Sequence, residues 1–239
     1  MSNTQRILMV IYFPMTFLIF IFDNIYPKEN MVLYLKYAIM ITLFLSAVTM
    51  KKKFFEQKVM ALSLFFLVIA DFFLVFMDTI NNLNMNLSPF GIIGFLCAYL
   101  CLIVTYQKNF KLGKMEIAAA IPLIIIFLCV FGFLMPYVKG IMKVGTLIFG
   151  AVLSYMTWTS ICTIFRNYFT KKSSWLIAIS GSLMFICDIG VAISMFYPPF
   201  IENHASWLTN IIWTAYIPGW TLLAVLISEK DLIIKDHHN

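Results

Sequence analysis

Eight long apolar runs, each closed by a short polar or charged segment, organise this chain from end to end. They cover roughly residues 7–22, 31–50, 59–77, 90–106, 115–135, 141–165, 174–196 and 207–228. The runs are continuous and do not alternate with period two, so they read as helices and exclude a barrel. Most approach or exceed the roughly 20 residues that cross the hydrocarbon core of a bilayer. Only helices and closed barrels satisfy their backbone groups in lipid. The pattern therefore predicts an all-α fold: a polytopic integral membrane bundle of about eight transmembrane helices, forming a single domain over residues 1–239. The first run resembles a signal-peptide core, with Arg6 before it. No small-residue cleavage site follows in Asp23-Asn24-Ile25-Tyr26-Pro27, so the run is expected to remain as a helix.

Composition sharpens this picture. The chain is 62% hydrophobic and 12% charged, whereas a soluble domain is about half apolar and about a quarter charged. Almost nothing is left for a soluble domain. The net charge of +6 follows topology, which argues against a nucleic-acid partner. Alternate loops carry Lys51, Lys52, Lys53 and Lys58; Lys108, Lys111 and Lys114; Arg166, Lys171 and Lys172; then Lys230 and Lys235 in the tail. The intervening loops carry Lys28, no basic residue, Lys139 with Lys143, and again none. By the positive-inside rule both termini are cytoplasmic, and the chain is a multi-pass protein of the cell (cytoplasmic) membrane. The basic loops need no partner beyond anionic lipid headgroups. Cys97, Cys101, Cys129, Cys162 and Cys187 all lie in apolar spans without CxxC spacing, which predicts buried structural thiols. His237 and His238 read as a surface tail, and no metal-ligand spacing is present.

Three charges interrupt the hydrocarbon: Lys36, Asp71 and Asp188. Unpaired and facing lipid they would cost roughly 8–10 kcal/mol together, so they are expected to point inward, at each other or at a wet cavity. At about 1.5 Å of rise per residue, Lys36, Asp71, Asp188 and Tyr216 all fall in the outer half of the bundle or near its midplane. That common level fits one polar pocket. Two carboxylates beside one ammonium carry a net negative charge, and a single proton shared across the pair makes the cluster neutral. One carboxylic acid and one carboxylate could then act together. The alternative is an Asp–Lys pair that only fixes packing. Tyr216 and Tyr155 are open to both readings, because tyrosine in a membrane helix is often a packing residue with its hydroxyl satisfied. Aligning Asp71 with Asp188 also aligns Ala61 with Ala178 and Ser63 with Ser180, which hints at a parallel duplication.

The segment Gly181-Ser182-Leu183-Met184-Phe185-Ile186-Cys187-Asp188, with Tyr216-Ile217-Pro218-Gly219 and Ala70-Asp71, resembles the YhhN-like lysoplasmalogenase family. Lys36 sits where that family carries an early intramembrane lysine, Phe95-Leu96-Cys97-Ala98-Tyr99 is similar to its Phe-x-x-x-His segment, and Tyr155 matches a tyrosine of its sixth helix. The similarity runs over most of the chain and is patchy. Ala70 stands for the motif glycine, Tyr99 for the histidine, Trp220 for a glutamine and Tyr37 for a favoured proline. The resemblance implies a hydrolase that cleaves the vinyl ether bond of a lysophospholipid without a cofactor, releasing a fatty aldehyde. It implies that Asp71 and Asp188 are catalytic, in a logic like that of paired-carboxylate glycosidases. Lys36, Tyr216, Tyr155 and Tyr99 would bind substrate or support the pair.

Other classes remain open at this stage. An intramembrane Asp, Asp, Lys cluster also suits a proton-coupled carrier or a lipid-binding protein. Pro122 and Pro218-Gly219 could break their spans as transporter sites do. A relative that has lost activity would explain the replaced histidine and glutamine. No GxSxG, Walker loop or HExxH is present, which argues against serine-hydrolase and zinc routes.

Overall fold

The computed structural model describes residues 2–27, 29–80, 87–140, 142–202 and 206–234. Lys28, Lys235, His237, His238 and loop residues 81–86 lie outside them. The helices are α1 (Asn3–Ile25), α2 (Asn30–Thr49), α3 (Phe55–Asp71), α4 (Ser88–Tyr106), α5 (Lys114–Leu134), α6 (Met142–Arg166), α7 (Lys171–Phe196), a short α8 (Pro198–Glu202) and α9 (Ser206–Ile227). Eight are long and apolar enough to cross a membrane, at 19 to 26 residues once the turn following α3 is counted with it. The described residues contain no strand, only an isolated bridge between Phe169 and Ile233.

Several helices start where side chains satisfy their free N–H groups. The Ser2 hydroxyl accepts from the Gln5 N–H and the Gln5 carboxamide from the Ser2 N–H, which starts α1 four residues before its apolar run. Gln57 accepts from Lys53 and Phe54 at the start of α3, and Glu116 accepts from Gly113 at the start of α5. Pro14, Pro122 and Pro218 lie inside helices. The break that a carrier reading would place at Pro218-Gly219 does not occur: α9 runs through it, and Ser180 of α7 donates to the Gly219 carbonyl at 2.7 Å.

α9 is the spine of the bundle, packed on α1, α2, α3 and α7. Every residue from Ala215 to Ile227 except Pro218 is buried. α5 is the opposite case: only Glu116, Leu123 and Leu134 are buried, and most of its remaining apolar side chains are exposed, where lipid would lie. Cys129 is among them, so the expectation of buried thiols fails there; Cys162 and Cys187 are buried, while Cys97 and Cys101 are half-buried.

The lysine-rich end is tied down by its own polar contacts. Arg166 reaches Glu116 at 2.7 Å, with both side chains buried. The tail crosses the α6–α7 loop through Thr170 N–H to Leu232 and Ile234 N–H to Tyr168.

Candidate active site

A cavity of about 750 Å³ enters the bundle from the end opposite the lysine-rich loops. Lys36, Asp71, Asp188 and Tyr216, which helical rise places at one level, all line it.

Asp71 closes α3 at the point where the helix widens into a π-turn, Phe72–Phe76. Such turns re-aim side chains and are common at functional sites. The Tyr37 ring packs against Phe72 and Phe76 of this turn, at 6.3 and 5.3 Å between centroids. Behind Asp71, Ala70 meets Gly94 of α4 so closely that a Cβ at position 94 would lie 2.9 Å from the Ala70 Cβ. The methyl group gained at position 70, where the motif carries glycine, is thus accommodated by a glycine on the facing helix.

Each aspartate accepts from a tyrosine. Tyr216 of α9 donates to Asp71 Oδ1 at 2.6 Å, and Tyr99 of α4 donates to Asp188 Oδ2. All four side chains are buried. Tyr99 is therefore a working donor to the second aspartate at the position of the motif histidine. It also stacks on Trp220, at 6.2 Å and 13° between planes, so the two departures from the motif touch one another. The pairs are crossed: the 117-residue offset that relates Asp71 to Asp188 also relates Tyr99 to Tyr216. Each aspartate of one half is bonded by the tyrosine of the other.

Lys36 is placed differently from the expectation. Its ammonium bonds neither Asp71 nor Asp188; it bonds Asp23 Oδ1 at 2.7 Å and lies 4.5 Å from the centre of the Trp213 ring. Asp23 sits in the last turns of α1, beyond the apolar run, and sequence reasoning passed over it as part of a loop. The available signal was an opposite charge 13 residues before Lys36, across a tight helical hairpin. Among the described residues the cavity thus carries Asp23, Glu29, Asp71 and Asp188 against a single lysine. Asp71 Oδ2 and Asp23 Oδ2 are buried without a hydrogen-bond partner among the described residues.

Tyr155 is not part of this site. It accepts from Gln107 at 2.7 Å near the lysine-rich end and packs on Trp158, because the helical rise of α6 carries it away from the cavity. Two apolar crevices of about 50 Å³ each meet the site at Asp188. One runs between α4 and α7 past Phe95 and Val191, the other between α5, α6 and α7 past Phe131 and Leu153; Phe149 and Ala192 line both.

The paired carboxyls, buried at the edge of a cavity with polar lining and each held by a phenol, suit proton transfer to and from a neutral lipid group. A family model described as the YhhN family matches residues 31–227, most of the chain and every element named in this site except Asp23 and Glu29. Neither the curated proteins nor the solved structures yield a match.

Proposed function

The chain belongs to the YhhN family, and we propose that it is a membrane-embedded hydrolase that cleaves the vinyl ether bond of a lysolipid, with Asp71 and Asp188 as its acid and base. The observation that carries this reading is that both carboxyls line one cavity and each is oriented by a buried tyrosine hydroxyl. A vinyl ether breaks when its β-carbon is protonated and water adds to the resulting oxocarbenium ion. That sequence needs one acid and one carboxylate, close together and shielded from bulk water. Nothing in it requires a cofactor. The lysolipid reaches the cavity from the bilayer.

In this reading the lysine-rich end faces the cytoplasm and the cavity opens on the other side of the cell membrane. The Lys36–Asp23 pair belongs to the polar part of the cavity and would meet the glycerophospho end of the substrate.

The test is aldehyde release from a lysoplasmalogen by purified protein, beside Asp71→Asn and Asp188→Asn. Activity that both substitutions remove supports the hydrolase. A folded wild-type protein that releases no aldehyde overturns it, and proton-driven uptake in vesicles would then favour a carrier.

A further inference from the structure

We propose that the lysolipid lies across the site in one sense only, its aliphatic chain against Asp188 and its polar end toward Lys36 and Asp23, so that Asp188 is the acid that protonates the vinyl ether and Asp71 the carboxylate that activates water. This rests on the hydrolase reading above.

The crossed Asp–Tyr pairs are nearly symmetric, but their surroundings are not. Asp71 lines the main cavity, which also carries Asp23, Glu29 and Lys36, and neither crevice. Asp188 lines that cavity and both apolar crevices. The duplication offset makes the contrast residue by residue. The counterpart of Lys36 is Leu153, which lines one crevice. A phosphate pressed into the crevices would lose its hydration without a partner, and a hydrocarbon chain laid among the charged groups would forgo its burial. At about 50 Å³ each, the crevices seat the first methylenes. The rest of the chain leaves past α5, whose outer face is apolar and exposed.

This orientation fixes the chemistry. In a vinyl ether the carbon that takes the proton is on the chain side, and the carbon that water attacks is bonded to the ether oxygen. The first lies nearer Asp188, the second nearer Asp71. Tyr216 occupies Asp71 Oδ1, while Oδ2 is buried without a partner among the described residues and is the atom that can accept a proton from water. Asp188 gives its proton to the β-carbon as the C=C pair forms the new C–H bond. Water adds to the oxocarbenium carbon and passes its proton to Asp71. The hemiacetal then collapses: its C–O bond to glycerol breaks, the glycerol oxygen takes the proton from Asp71, and the hemiacetal hydroxyl returns its proton to Asp188. Both residues end as they began, with one water consumed.

Azide separates the two roles, because it is a nucleophile that needs no base. Asp71→Ala and Asp188→Ala are purified, checked for wild-type melting, and given a long-chain alkenyl lysolipid with sodium azide. The expected result is that azide raises turnover of Asp71→Ala by about tenfold or more and yields an α-azido ether by mass, leaving Asp188→Ala unaffected. Rescue of Asp188→Ala, of both variants or of neither overturns the assignment. Ala192→Phe tests the chain's placement: KM for the long-chain substrate should rise about tenfold while an ethenyl analogue, which has no methylenes to seat, keeps its value. An equal effect on both, or none, overturns it. A wild-type protein that releases no aldehyde sinks the hydrolase reading and the acid–base roles with it. Weaker binding of a saturated long-chain ether lysolipid by Ala192→Phe would still support the chain's placement, and unchanged binding would overturn that too.

Discussion

The two halves of this chain build the same frame and furnish it differently. At one offset α2, α3 and α4 map onto α6, α7 and α9, while α1 overlaps α5 only in part, and each half places an aspartate on its third spanning helix and a tyrosine on its fourth. Around that shared frame, the first half adds Asp23, Glu29 and Lys36 to the main cavity, while the second lines both crevices with Phe149 and Ala192. The first half also carries the close approach of Ala70 to Gly94; the counterparts of these residues are Cys187 and Ile211. Two equivalent carboxyls would have no reason to divide acid and base between them. Unequal neighbours supply the reason, since environment sets which carboxyl does which task.

The largest effect should come from breaking what the halves share. Asp71→Asn and Asp188→Asn are each expected to lower aldehyde release by about 10³-fold, within the 10²–10⁴ range of acid–base catalysis. The double variant should be little worse than either single one, because the carboxyls act as a unit. Single-turnover assays on folded protein measure this, and multiplying losses would show that the two act independently.

Next comes the ion pair that only the first half possesses. Lys36→Met leaves Asp23 buried and unpaired, which should destabilise the fold by about 3–5 kcal/mol. Adding Asp23→Leu, which makes this corner resemble the second half, should restore most of it. Thermal melting in detergent reads both. If the double variant melts no higher than Lys36→Met, the charge balance is not what holds the corner.

The tyrosines sharpen the comparison. A hydrogen bond to a charged group contributes about 1.5–3 kcal/mol, so Tyr99→Phe and Tyr216→Phe should each reduce kcat/KM by a similar factor of about ten to a hundred. A silent Tyr99→Phe would mean that this phenol is a packing residue and that Asp188 needs no donor. The helix crossing belongs only to the first half. Gly94→Ala should destabilise by about 1–3 kcal/mol through overpacking against Ala70, and Ala70→Gly in the same chain should relieve it. Melting of the two single variants and the double variant decides whether that contact is as tight as the geometry implies.

Much of this was legible in the sequence, for identifiable reasons. The spans were, because continuous apolar runs of this length have few other uses; even their ends agree within a few residues, α1 excepted, where the Ser2–Gln5 capping box extends the helix. Asp71 and Asp188 stood out because charge within hydrocarbon needs an explanation. Asp23 did not stand out, since an acid at the edge of a span is unremarkable until helix pairing is known. Tyr155 was carried over from a motif, and only the packing of α6 shows that it faces Gln107. The crossed pairing of Tyr99 and Tyr216 depends on inter-helix register, which no local pattern encodes, although the shared offset was present in the residue numbers.

The smallest effect belongs to the seam where the halves meet at the lysine-rich end. Glu229, just past α9, accepts from Gln5 of the first half at 2.9 Å and from Lys172 of the second, while Gln57 donates to its carbonyl at 2.7 Å. Burial alone would push its carboxyl up; the bonds from Lys172 and Gln5 outweigh this and hold it below its ordinary value of 4.5. A carboxyl depressed on folding lends stability that is fully present above its unfolded value and is lost as pH falls through the lower folded one. The gain should be about 0.2–1 kcal/mol, because Lys172 is solvent-exposed and screened. Melting from neutral pH down to pH values below 4.5 should therefore show an acid limb that Glu229→Gln flattens. If Glu229→Gln melts like the wild type across that range, the halves are held in register by the α9 core alone, and the seam only follows it.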